Sequence, residues 1–225
     1  MTYRIIFTEL LSADSYTMSA CTDQRTHHER RHYFTLFILR EILMRVLLTA
    51  ICLTLLTSPV FAQPYKVDVS HSSVLFKVVH FNVGYTVGMF KKFKGSIDEG
   101  KSVEITIDAS SVDSNQKKRD SHLRSPDFFN VKQFPEISFK GTKWETAEGG
   151  AKITGDLSFH GVTKSVSFFA KKVGEGDDPY GNHRIGYTAE VTVKRSEFGV
   201  TYGIKGNVAG DEITLVVSLE GVRKK

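Results

Sequence analysis

Eight stretches of this chain alternate apolar and polar residues with a period of two, and that alternation limits the fold more than any other feature. In SVEITIDASSV (residues 102–112), Val103, Ile105 and Ile107 fall on one side and Glu104, Thr106 and Asp108 on the other. Successive side chains of a β-strand leave on opposite faces, so such a segment is a strand with one dry face and one wet face. The same reading applies to SSVLFKVVHF, MFKKFKGSI, EISFKGTKW, AKITGDLSF, KSVSFFAKKV, GYTAEVTVKRS and DEITLVVSLEGV. Turn signals such as DEGK, AEGG, HGVT and GDDPYGN separate them. Helical periodicity over a useful length is nearly absent.

Strands in this number and rhythm predict a closed barrel or a sandwich, because closure removes exposed edges. An eight-stranded barrel is wide enough to hold one small ligand. An outer-membrane barrel requires a continuous apolar outer band. Here Glu104, Asp108, Lys77, Lys140, Asp156 and Lys194 stand in mid-strand, so the charged face looks at water and the apolar face looks inward.

The alternation begins only after residue 62. Upstream, MRVLLTAICLTLLTSPVFAQ from Met44 has one positive residue, an apolar run from Val46 to Leu56, Pro59, and a small residue, Ala62, before the expected cut. That is the layout of a secretory signal peptide, residues 44–62. The uncharged run is shorter than the roughly 20 residues that span hydrocarbon. Residues 1–43 are polar and would bury such a signal, so translation is expected to start at Met44, with the upstream part a non-native or disordered extension. The remaining piece, residues 63–225, is one domain destined for the periplasm and not membrane-spanning after cleavage. Both cysteines, Cys21 and Cys52, precede it. Its stability must therefore come from packing rather than disulfides. It keeps 24 of the 30 Lys and Arg and 20 of the 25 Asp and Glu, a net charge of 24 − 20 = +4.

The chemistry-bearing residues do not converge. His71, His80, His122, His160 and His183 show no H-x-x-x-H spacing, so no metal site is expected. No G-x-S-x-G elbow or phosphate-binding glycine loop occurs. No catalytic residue and no cofactor are expected. KKFKG is the one basic stretch interleaved with aromatics, and its side chains divide between two faces, so no nucleic-acid partner is expected.

Two long connections interrupt the strands, roughly Asp113–Pro135 and Ser196–Gly210. The first, which includes RDSHLRSPDFFNVKQFP, carries Leu123, Phe128, Phe129 and Phe134 in a segment whose Pro126 and Pro135 forbid a long helix. Exposed, that much apolar surface is unfavourable. Folded over one end of a barrel, it becomes either an apolar lid against a ligand or a plug for an ordinary core. Arg119, Asp120, His122 and Arg124 would then lie near the mouth, either meeting a head group or holding the loop closed.

These blocks together resemble the lipid- and polyisoprenoid-binding YceI-like family. The resemblance is carried by DVSHSSVLFKVVH, GMFKKFKG, the SSVDS and RDSHLRSPDFFNVKQFPEISF block, GDLSFHGVTKSV and KRSEFG, over nearly all of residues 65–222. Ser158 replaces a common Thr and Lys194 a common Asn, which cautions against assuming the same ligand. The resemblance implies an all-β fold: an extended, lipocalin-like, eight-stranded antiparallel β-barrel with a long loop between Asp113 and Pro135. It further implies an exported carrier or storage protein whose tunnel takes a polyisoprenoid or similar long-chain lipid. A homodimer is compatible with the family, without a signature here.

By alternation, the tunnel wall is expected to include Phe76, Val78, Phe90, Phe93, Val103, Ile105, Ile107, Ile137, Phe139, Phe168, Val191 and Val193, with Leu123, Phe128, Phe129 and Phe134 from the loop. The candidate head-group contacts are His80, Arg119, His122 and Arg124. Two other readings stay open: an enzyme acting on a lipidic substrate at the loop end, with His122 or His80 as base, and a filled barrel with a structural role.

Overall fold

The computed structural model describes residues 37–47 and 63–225, which fall in two separate compact units. In the N-terminal unit, residues 37–47 form an exposed helix, α1. The expected signal segment contributes its residues 44–47 to α1, and its remainder lies outside the described residues. Among the described residues no helix is long and apolar enough to cross a membrane.

The second unit is built from β1 (Tyr65–Val67), β2 (Ser73–His80), β3 (Gly84–Phe90), β4 (Phe93–Asp98), β5 (Ser102–Asp108), β6 (Val112–Asp113), β7 (Glu136–Ala147), β8 (Gly150–Phe159), β9 (Val162–Asp177), β10 (Asn182–Lys194) and β11 (Ala209–Lys224). Three pairs of these are halves of single interrupted strands: β1 with β2, β3 with β4, and β5 with β6. A 3-10 turn at Val69–His71 separates the first pair, Lys91–Lys92 the second, and a 3-10 turn at Ala109–Ser111 the third. The upper part of β11 pairs with β2 (Ile213↔Val78) and its lower part with β1 (Lys66↔Val222). Since β1 also pairs with β4 (Tyr65↔Ile97), the sheet closes on itself. The result is an eight-stranded, closed antiparallel barrel, each strand hydrogen-bonded to its neighbours in sequence.

The alternation seen in the chain is the alternation of burial. Along β8, Ala151, Ile153, Leu157 and Phe159 are buried, whereas Lys152 and Asp156 are exposed. Burying a side chain the size of Ile153 contributes about 1.5–3 kcal/mol. Two inner clusters form this way: one around Ile97, Ile153, Ile185 and Tyr187, the other around Phe76, Phe90, Phe129, Phe159 and Phe198. Gly88 is necessary to the second. It stands opposite Phe76, and any Cβ there would run into the Phe76 ring.

An antiparallel meander sends successive turns to alternate ends. One end, the mouth, carries the hairpin at residues 81–83, the connection 109–135, the His160–Gly161 turn and the connection 195–208. The other, the base, carries the turns at 99–101, 148–149 and 178–181, and both ends of the domain, with Arg223 Nη1 donating to the Gln63 carbonyl at 3.1 Å. Helix α2 (Lys117–Leu123) lies within the long mouth connection, which the sequence reading treats as a loop. Gln116 caps it by accepting from the Arg119 amide at 2.8 Å, and it ends before Pro126, consistent with the exclusion of a long helix.

Candidate functional site

The lid is held down by its own charges. The buried carboxylate of Asp120 accepts from Ser114 N at 2.8 Å and Ser114 Oγ at 2.5 Å. Arg119 donates through Nε to Ser114 Oγ (2.7 Å) and through Nη2 to the Ser114 carbonyl (2.6 Å). Arg124 donates to the carbonyls of Ser110 (2.7 Å) and Val112 (2.6 Å), tying the end of α2 back to β6. His122 meets Asp127 at 2.8 Å, and its ring packs edge-on against both Phe128 (5.0 Å) and Tyr202 (4.9 Å), which joins the two mouth connections. With backbone and hydrogen bonds spent this way, the chain can turn Leu123, Phe128 and Phe129 inward. Phe129 contacts Phe76, Phe90 and Phe159 with ring centroids 5.4–6.1 Å apart.

Beneath the lid lies an apolar cavity with about 180 Å³ open to the centres of water-sized molecules. Its wall includes Phe76, Val78, Phe90, Val103, Ile105, Ile107, Leu123, Phe128, Phe129, Ile137, Phe139, Phe168, Val191 and Val193. From Val193 down to Tyr187 the lining follows about 20 Å of β10 at roughly 3.3 Å per residue. A long chain fits such a space better than a compact molecule does.

Two expected wall residues sit elsewhere. Phe93 packs against both inner clusters without facing the free space. Phe134 leaves the lid sideways and packs its ring on His160 (4.8 Å), above Gly161, whose φ of 77° and missing Cβ make room for it. None of the four candidate head-group residues reaches the cavity. Arg119, His122 and Arg124 are committed to the lid as described, and His80 is exposed at the end of β2, edge-on to the Phe81 ring at 4.3 Å.

Several lining residues escape the sequence reading. Tyr187 and Ala189 share the parity of Val191 on β10 and were legible by extending it. Trp144 has the parity opposite to Ile137 and Phe139, yet faces inward because the register shifts between Gly141 and Lys143. Such a bulge reverses every side chain beyond it. Arg195 is the most unexpected, a guanidinium 2% exposed that lines an apolar cavity. It donates to the carbonyls of Gly210 (2.8 Å), Ala209 (2.7 Å) and Val200 (3.3 Å), and its charge lies 6.0 Å from the Phe128 ring centroid. Burial pulls its pKa down, opposed by the nearby Asp211 carboxylate.

The base is closed by polar groups. Tyr187 Oη donates to Glu99 Oε1 at 2.5 Å, and Trp144 packs edge-on against the Tyr187 ring at 5.6 Å. Lys172 reaches Glu99 at 2.8 Å and Glu175 at 2.9 Å. Burial and then the Glu99 carboxylate raise the Tyr187 pKa, keeping that phenol neutral. Burial works to raise the Glu99 pKa, but hydrogen bonds from Lys172 and Tyr187 prevail and lower it. Outside the base, Asp68, His71 and Glu220 converge, and Arg184 neutralises them, donating to Asp68 at 2.9 Å and also to Glu220 and Asp178. Its guanidinium bonds both carboxylates of that group. Of the titratable side chains among the described residues, Arg195 and Tyr187 line the cavity, and neither is poised as a base.

Residues 65–221 match the family model described as a YceI-like domain. The protein YceI of Salmonella newport is 38% identical over 177 residues, covering 75% of this chain and 92% of that protein. The crystal structure of Burkholderia cenocepacia BcnA superposes with a TM-score of 0.60 at 26% identity, covering 68% of this chain and 98% of that one. A polyisoprenoid binding domain from Saccharophagus degradans shares the fold, with a TM-score of 0.54 at 14% identity over 70% of this chain and 97% of its own. The closed barrel, the lidded apolar interior and these matches agree: the chain belongs to the YceI-like family.

Proposed function

We propose that this protein is a periplasmic carrier or storage protein that holds a polyisoprenoid or other long-chain lipid in its barrel, without covalent chemistry. The observation that carries the reading is the lined cavity itself: apolar from the lid to the Trp144 and Tyr187 floor, and elongated along the strands. The polyisoprenoid binding named for the Saccharophagus degradans domain supports the ligand class. The layout of residues 44–62 supports export. The enzyme alternative gains nothing from the geometry, since His80 and His122 both lie away from the cavity.

Apolar walls discriminate weakly between methylene-rich chains, so selection acts through length, where the floor stops the chain. Each five-carbon unit buried contributes roughly 4 kcal/mol before ordering costs. Non-covalent affinity saturates near −18 to −21 kcal/mol, so binding stops tightening once the cavity is full. Native mass spectrometry of protein purified from its own host, followed by organic extraction, tests the reading. A co-purifying lipid of narrow length distribution is the expected result. An empty barrel that takes up neither prenyl alcohols nor fatty amides would refute it. Turnover of the bound lipid would establish an enzyme instead, and N-terminal sequencing of the exported protein checks cleavage after Ala62.

A further inference from the structure

The outer face of the β2–β3 hairpin gathers exposed apolar side chains in consecutive outward positions, whereas elsewhere in the strands such residues stand apart, as Phe169 and Val173 do among the lysines of β9. On β3 the outward residues are Tyr85, Val87 and Met89, exposed by 67%, 51% and 36%, while Phe90 points inward. The hairpin tip adds Phe81 and Val83, exposed by 53% and 89%. Phe81 and the following Asn82 are both held at positive φ, 50° and 57°, which sends the chain sharply around a tip the core makes no use of. Val208, also exposed, precedes Ala209, the register partner of His80, and so extends the patch onto the second mouth connection. Residues 84–88 of β3 pair with β2 alone, and among the described residues their other edge has no strand partner, because β6 meets only Met89 and Phe90.

Among the described residues, unpaired cations border this patch, and the acid beside it, Asp113 opposite Met89, is taken up by Lys91. Lys77 stands opposite Val87 in register, with its Nζ 6.0 Å from the Tyr85 ring centroid. Lys205 lies in the connection leading to Val208, and Lys117 and Lys118 open α2, which follows directly from β6. The ion pairs of the mouth end, Lys91–Asp113, His122–Asp127 and Lys164–Glu197, involve none of these four lysines.

We infer that the β2–β3 hairpin, with the adjacent mouth connection, is a docking surface for an anionic phospholipid bilayer. Exposed aromatic and aliphatic side chains beside cations are what enters the boundary between head groups and acyl chains. Two copies of this chain apposed through the same face would set Lys77 and Lys205 of each against the other's positive field, which disfavours self-association. The surface borders the lid, so docking there presents the mouth of the cavity to the bilayer. This inference goes beyond the carrier reading, which supplies its purpose but not its observations.

The test is amide hydrogen exchange of the full chain with and without vesicles. Because α1 also exposes apolar side chains, the readout has to be local to the hairpin. With vesicles of phosphatidylglycerol and phosphatidylcholine, residues 81–89 should exchange several-fold more slowly, while the base turn at 178–181 is unchanged. Pure phosphatidylcholine vesicles, or high salt with the anionic ones, should remove most of that protection. Val83→Asp with Val87→Asp should abolish it while leaving the melting temperature and the cavity's ligand content unaltered, since both side chains point to solvent. Lys77→Glu with Lys205→Glu should do likewise. Unchanged exchange of the hairpin with anionic vesicles, or protection that survives the aspartate variants, overturns the inference. Protection that rises with protein concentration in the absence of vesicles also overturns it, in favour of a self-association face. A barrel that is empty by mass spectrometry and takes up neither prenyl alcohols nor fatty amides would refute the carrier reading while leaving the docking result standing.

Discussion

Ala151, Ala170 and Ala189 stand in one row across β8, β9 and β10, and the last two face the free space of the cavity. This row makes room about midway along the lining of β10, above Tyr187. Replacing Ala189 with Phe inserts a phenyl ring into the path of any chain that continues toward the floor. A ligand long enough to pass the row loses the burial of about one five-carbon unit, roughly 4 kcal/mol at 0.8 kcal/mol per methylene. That is close to a thousand-fold in affinity. A ligand that ends above the row loses nothing. Overpacking the wall costs about 1–3 kcal/mol of stability. For a domain of this size that lowers the melting temperature by roughly 2–12 °C, and the variant stays folded at room temperature. Competition binding across a ladder of prenyl alcohols of increasing length measures the effect. The expected result is a break, with unchanged affinity for short members and a steep loss beyond a definite length. A uniform loss at all lengths, or none for the longest, would show that the chain does not run along this wall.

Phe129→Ala removes a ring, 9% exposed, that joins the lid to Phe76, Phe90 and Phe159. It should cost about 3–5 kcal/mol in chemical denaturation and speed ligand release measured by stopped flow. Arg195→Met leaves the carbonyls of Val200, Ala209 and Gly210 without their donor. At about 1–3 kcal/mol per unsatisfied group, residues 200–210 should exchange amide hydrogens faster; Arg195→Lys should not restore them, because a point charge lacks the planar fork. Hydrogen bonding from His71 and then Arg184 lowers the Asp68 pKa from 3.8 to about 2, and Asn182 and then Arg184 lower that of Asp178. A carboxylate depressed in the fold contributes stability above its unfolded pKa and loses it as pH falls through the folded one. The melting temperature should therefore hold down to about pH 4 and drop between there and about pH 2. Asp68→Asn should flatten that part of the profile.

Strand identity and the inward face were legible in the chain wherever a strand is unbroken. Val103, Ile105 and Ile107 of β5 and the whole of β8 follow from alternation, which is local because the pleat sends neighbouring side chains to opposite faces. Long apolar content in a proline-broken loop likewise implied a cover over something apolar, and Leu123, Phe128 and Phe129 provide it. What sequence could not supply depends on partners far away in the chain. Trp144 turns inward because of a bulge set by the pairing of β7 with β8. Phe134 is drawn off the lid by His160, and Arg119 and Arg124 are consumed by carbonyls of the lid and of residues 110–112 rather than left for a head group. Arg195 looks like a surface residue in the strand-end run KRSEF, yet three carbonyls of the returning connection make its burial tolerable. The chain by itself determined which residues must leave water, since that is a property of each side chain and its parity. Only closure of the barrel decided which of them share one cavity, where that cavity ends, and which polar groups are already spoken for, because those are properties of residues brought together from opposite ends of the sequence.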